Sequence, residues 1–339
     1  MATWSLFSKL KEGLGGADGP PRTETCALHL YGKLPIYKDF ISSGLTEDGA
    51  KEFRDWLGNG FSRRWSAVEA YRETEIPLHT FLLALPGGRR SVAGALWGSH
   101  DEGGLRPFPF TLFSVLPQGR SPAEPLVALS FLEVFEERAA YIRRTFVAGR
   151  TLASFYEGFR GARVEVPVKR PARILEEVEK EAKEVTLGDF AASLLGEGAR
   201  GAWPRLLERL KAACSVSPGT GAGAVRIPLG NLIPASVQVQ LWLAWLEGEG
   251  VLRSRAPSGA LVCRSGGRSR AVVFFRDLRP EDVLLLHPEA ADYEFVEEVV
   301  PAAPPAAAAE ASPEAVPDGA PKGWDAPLTQ LLRPEGAGR

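Results

Sequence analysis

Two proline-stiffened turns constrain this chain more than any other feature. The first is Tyr31-Gly32-Lys33-Leu34-Pro35-Ile36-Tyr37-Lys38-Asp39-Phe40-Ile41. An apolar run from Cys26 to Tyr31 leads into it, and a helical pattern starts a few residues beyond. Gly32 permits backbone angles that side-chained residues resist, while Pro35 fixes its own φ and holds Leu34 extended. The segment reads as a strand, a rigid elbow and a polar-tipped loop ending at Asp39-Phe40. A second elbow, Leu105-Arg106-Pro107-Phe108-Pro109-Phe110-Thr111-Leu112, follows about seventy residues later and also opens a strand. Stiff turns loaded with aromatic and charged side chains fit a recognition surface better than a reaction centre.

The elements between and after the elbows set the fold class. Thr46 stands as an N-cap before Glu47 and Asp48, and Ala50, Phe53, Leu57, Phe61, Trp65 and Val68 then recur at helical spacing. Trp56 and Trp65 read as packing residues. Strand-like runs follow at 79–85, 92–97 and 110–116, the first two joined across Pro86-Gly87-Gly88. The apolar positions of Glu124 to Gly149 predict one long helix, and Thr151 to Phe159 a short one. Strand, helix, antiparallel strands and helix make an α+β fold, a mostly antiparallel sheet covered by helices.

A second, smaller α/β unit is expected from Arg163. It holds a strand at 164–168, a charged helix at 172–185, and a capping box, Thr186 to Asp189, that opens a helix to Leu195. A helix at 203–213 and a strand at 225–229 come next. Val237–Leu246 is apolar enough for a buried helix or a buried strand, between which periodicity does not choose. A hairpin, 260–263 with 271–275, crosses Ser265-Gly266-Gly267, and Pro280 starts a last helix. The order of elements in the two units is compatible with a duplication. The expected division is a leader and linker at 1–22, an N-terminal α+β domain at 23–162, the second unit at 163–300 and a tail at 301–339. The leader places Trp4, Phe7, Leu10 and Leu14 at helical spacing, as an amphipathic helix in weak contact with a membrane surface or a partner, or folded back on its own domain. Residues 301–321 are mostly Ala and Pro, a disordered tether. Beyond it Trp324, Leu328 and Leu331 fall at i, i+4 and i+7, so a helical turn puts all three on one face to anchor a partner or dock on their own domain.

Several chemistries are excluded or disfavoured by spacing. Gly32-Lys33 after a strand is half of a P-loop, but Ala27 and Leu34 stand where a glycine and a Ser or Thr belong. Gly219-Thr220-Gly221-Ala222-Gly223 lacks its last dinucleotide-loop glycine and leads into a strand. No Gly-x-Ser-x-Gly elbow is present. The four histidines have no His or Cys partner at metal-ligand spacing, so neither a metal nor a cofactor is expected. A net charge of −2 argues against nucleic acid as a partner, and three scattered cysteines suit a reducing compartment, the cytoplasm. No apolar run is long enough to span a membrane. Asp39 is the one acid in a constrained place, capping its loop or touching a partner or substrate.

Gly-Lys-Leu-Pro at 32–35, Asp39-Phe40, a Trp-bearing helix and Arg106-x-Phe108-Pro109-Phe110-Thr111-Leu112 together resemble the TagF/ImpM family of bacterial type VI secretion accessory proteins. Lys38 occupies the place of that family's glycine before Asp-Phe. The resemblance implies a non-enzymatic cytoplasmic regulator that restrains assembly of the secretion system after translation. It also implies a forkhead-associated scaffold protein as partner. The residues selected for partner contact are Lys33, Leu34, Pro35, Asp39, Phe40, Arg106, Pro107 and Phe108, with Trp324, Leu328 and Leu331 in the tail. The competing readings are a scaffold or localisation adaptor that works through its terminal segments, and an enzyme with a nonstandard site near Asp39 and Arg106.

Overall fold

The computed structural model describes residues 22–63, 65, 75–86, 90–116, 132–168, 171–215, 223–253, 257–265, 268–287, 296–299 and 324–332. The leader, the Ala/Pro-rich stretch, the 219–222 loop and the glycines of both expected hairpin turns lie outside these residues.

The strands are β1 (Arg22–Ala27), β2 (His29–Gly32), β3 (Ile41–Ser43), β4 (His79–Ala84), β5 (Ser91–Trp97), β6 (Phe110–Val115), β7 (Arg163–Val168), β8 (Ala224–Leu229), β9 (Gly259–Ser265), β10 (Arg268–Phe274) and β11 (Glu297–Glu298). The helices are α1 (Asp48–Arg63), α2 (Leu132–Thr145), α3 (Leu152–Phe159), α4 (Pro171–Ala182), α5 (Leu187–Leu195), α6 (Ala199–Ser215) and α7 (Ala235–Gly248), with 3-10 turns at Val251–Arg253, Pro280–Leu286 and Leu328–Leu332.

Among the described residues one nine-stranded sheet runs in the order β11-β8-β10-β9-β4-β5-β6-β2-β3. Every pairing in it is antiparallel except β11 with β8. The fold is thus α+β, as the pattern of elements predicts. The strands of the two sequence units meet in this sheet, because β4 pairs directly with β9, His79 opposite Cys263 and Leu82 opposite Ala260. β7 turns back to pair with β1 in a separate ribbon, Arg22 opposite Val168 and Ala27 opposite Arg163.

Alternation along the strands splits the core between the two faces. On one face Leu82, Ala93, Ala95 and Leu112 meet Phe135, Ala139 and Ile142 of α2 and Phe155 and Phe159 of α3. The same face continues over β8 to β10, where Val225, Ile227, Ala271 and Val273 carry Trp242 and its neighbours on α7. On the opposite face Phe81, Leu83 and Phe113 pack under Phe53, Leu57 and Phe61 of α1 and Val283 and Leu286 of the 280–286 turn. Phe53 lies 5.0 Å from Phe81 and 4.6 Å from Phe113, ring to ring.

Local differences from the sequence expectations have local causes. α1 opens at Asp48, and the Thr46 hydroxyl turns back to the Gly44 carbonyl instead of capping the helix. The described helix after the second elbow begins at Leu132. Residues 237–246 are helical, and the helix starts directly after Pro234 and is buried on all sides through Leu246. Thr186 caps α5 as expected, accepting from the Asp189 amide.

Candidate partner-binding site

Gly32 decides how the first elbow meets the sheet. Its φ is 133°, and a Cβ there would stand 2.2 Å from the Pro109 carbonyl oxygen and 2.7 Å from Phe110 Cα. Only glycine lets the first elbow lie directly on the second. A turn from Leu34 follows, closed by the Tyr37 amide donating to the Leu34 carbonyl at 3.2 Å. Leu34 and Ile36 point into the core, and Pro35 is half-buried.

Side chains then lock the two elbows together. Asp101, in the link between β5 and the second elbow, is only 3% exposed. Its carboxylate accepts the Leu105 amide at 3.0 Å, the Arg106 amide at 3.3 Å and Arg106 Nε at 2.5 Å. Arg106 Nη2 reaches across to donate to the Lys38 carbonyl, and the Glu102 amide donates to the Tyr37 carbonyl at 3.0 Å. From the other side Lys33 Nζ donates to the Arg106 carbonyl at 3.4 Å and stands 3.9 Å from Asp101 Oδ2. The hydrogen bond from Arg106 holds the Asp101 carboxyl below its ordinary value, although burial opposes the shift. Burial lowers the Lys33 amine, and the Arg106 charge adds to that; Asp101 and Asp39 pull the other way.

Aromatic rings complete the floor. Phe40 stacks on Tyr31 at 5.5 Å and meets Phe108 edge-on at 4.8 Å, with Lys33 Nζ 5.1 Å from the centre of the Phe40 ring. Asp39 Oδ1 accepts the Phe40 amide at 2.8 Å, which is the loop-capping role open to it from the sequence.

The sequence-selected residues of both elbows therefore converge, but on two levels. Asp39, Phe40, Arg106 and Pro107 form the exposed face, with Phe40 at 41%. Lys33, Leu34 and Phe108 lie beneath it as support; Lys33, read as a contact residue, is 4% exposed because its amine is spent on Arg106 and Asp101. Sequence reasoning missed Asp101, Leu105 and Tyr31. Leu105 is 85% exposed at the crest of the second elbow, and an apolar residue beside Arg-Pro was the available signal. Trp324, Leu328 and Leu331 lie elsewhere, packed on the core of β8, β10 and α7. Among the described residues no three His, Cys, Asp or Glu side chains converge to hold a metal, and no helix is long and apolar enough to cross a membrane.

Fold and site define an α+β sheet protein in which two interlocked loops form one exposed face. Residues 29–157 match the family model of the TagF N-terminal domain, type VI secretion system-associated. That stretch holds both elbows, and the match agrees with the motif resemblance. The crystal structure of PA0076 from Pseudomonas aeruginosa PAO1 is similar at 24% identity and a TM-score of 0.32. The match covers 42% of this chain and 63% of that one, just under two thirds of its length. No curated protein matches this chain.

Proposed function

We propose that this chain regulates type VI secretion in the cytoplasm by covering a surface of a partner protein, without turnover. The partner we favour is a forkhead-associated scaffold, and the effect is repression of assembly after translation. One observation carries this reading: the two elbows are fixed to each other before any partner arrives, by the Arg106–Lys38 and Lys33–Arg106 hydrogen bonds, with Asp101 holding the Arg106 side chain. A face ordered in advance loses little conformational freedom on binding. Exposed Phe40, Leu105 and Pro107 supply apolar contact, and Asp39 and Arg106 supply charge at its edge.

Calorimetric titration of the full chain with the scaffold tests this. Phe40→Ala and Leu105→Ala should each weaken binding about ten-fold or more, the scale of a truncated interface anchor. Leu105→Ala should leave the melting temperature unchanged. Wild-type affinity in both variants would place the interface on another face.

A further inference from the structure

At the other end of the sheet, part of the tail is bonded to the start of α5. The first three amides of an α-helix have no partner within the helix. Here the Leu187 amide donates to the Ala326 carbonyl and the Gly188 amide to the Trp324 carbonyl, both at 2.9 Å. The Asp189 amide donates to the Thr186 hydroxyl at 3.0 Å. The Leu328 amide returns a bond to the Val185 carbonyl at 2.8 Å, and Thr186 and Pro327 form an antiparallel bridge. The tail segment 324–332 thus meets the approach to α5 through a turn at 324–325 and a single bridge at Pro327, directly before its 3-10 turn.

The side chains make the pairing selective. The Trp324 indole lies over Gly188, where a Cβ would come within 2.5 Å of its Nε1. The Arg200 guanidinium sits over the same ring, 5.7 Å from its centre. Leu328 is fully buried in the core beneath, and Leu331 and Leu332 pack at its margin. Gly188 sits inside a helix at no positive φ, where alanine ordinarily stabilises, so its lack of a side chain serves the indole. Twenty-five residues, 299–323, separate this segment from the last strand, and an extended chain of that length reaches about 80 Å. The segment is tethered to its groove by a connection long enough to let it leave.

We propose that the start of α5 is a peptide-binding groove specific for a segment with tryptophan followed by leucine four residues on, and that residues 324–332 occupy it in cis. A partner's segment of that pattern enters only by displacing them. The probe is a dye-labelled peptide with the sequence of residues 323–333, titrated by anisotropy against the full chain as wild type, Trp324→Ala and Gly188→Ala. Trp324→Ala weakens the resident segment but keeps the slot, so it should bind the peptide at least ten-fold tighter than wild type. Gly188→Ala also frees the tail yet fills the slot, and should show no gain. Hydrogen exchange on the wild type should find the Leu187, Gly188 and Leu328 amides protected, with Leu328 exchanging faster when unlabelled peptide is in excess. The proposal is overturned if those amides are unprotected in the wild type, if excess peptide leaves Leu328 exchange unchanged, or if both variants bind the peptide equally.

Discussion

Asp101 ties the candidate site together through a single carboxylate that takes two amides and a guanidinium. Its folded pKa lies below the ordinary 3.8, so the charged form is favoured by folding. The resulting stability is complete above the unfolded value and is lost as pH falls through the lower folded one. Melting curves of wild type and Asp101→Asn should therefore differ most near neutral pH and converge below about pH 3.8. A constant difference down to the most acid pH would mean that the carboxylate's charge is not what matters. Gly32 works at the same scale through shape. Gly32→Ala adds a strained φ, about 1–2 kcal/mol, to a clash with the Pro109 carbonyl that overpacks the elbow by about 1–3 kcal/mol. Urea unfolding of this variant should show a loss of about 2–5 kcal/mol, and a loss under 1 kcal/mol would mean the elbow shifts freely.

At the scale of elements, α7 shows how a fully buried helix is fixed in place. Its apolar surface has little periodicity to orient it, so a polar residue does so. Gln238, completely buried, accepts the Gly230 amide at 2.7 Å and donates to the Gly230 and Ile233 carbonyls at 2.9 and 2.7 Å. One side chain thus supplies the loop before the helix with three hydrogen bonds. Gln238→Leu keeps the volume and the helix propensity but strands those groups, at a cost of about 2–4 kcal/mol in denaturant unfolding. A neutral result would show that water replaces the amide. Trp242, on the same helix, finds no partner for its indole N–H among the described residues, so it contributes through burial and its ring contacts with Phe190, Trp203 and Trp245.

For the whole molecule the decisive seam is β4 against β9. Four residue pairs, from His79–Cys263 to Leu82–Ala260, make the N-terminal strands and the later hairpin one sheet. Residues 23–162 expressed alone would expose the β4 edge that β9 now pairs, and would strip the 280–286 turn and the later strands from the core cluster that holds Phe81. An uncovered apolar edge pairs with other chains. This fragment should therefore aggregate or melt well below the full chain, as size-exclusion chromatography and calorimetry would report. A monomeric fragment melting at the wild-type temperature would mean the two halves are stable independently.

The sequence by itself determined the elements whose signals are local. Helical spacing marked α1 and α2, Thr186 marked the start of α5, and Gly32 with Pro35 marked an elbow because backbone preference is written in the residue itself. It also singled out both elbows, which the fold brings together, and the tail's apolar residues, which it packs on the core. Tertiary structure alone decided the rest, because it depends on what each residue meets. Lys33 became a buried support rather than a contact because Asp101, far along the chain, waits for its amine. Residues 237–246 became helix because the β8–β10 face needed a buried cover. Trp324 found its seat because Gly188, an unremarked glycine in a predicted helix, leaves room for a ring that no spacing rule connects to it.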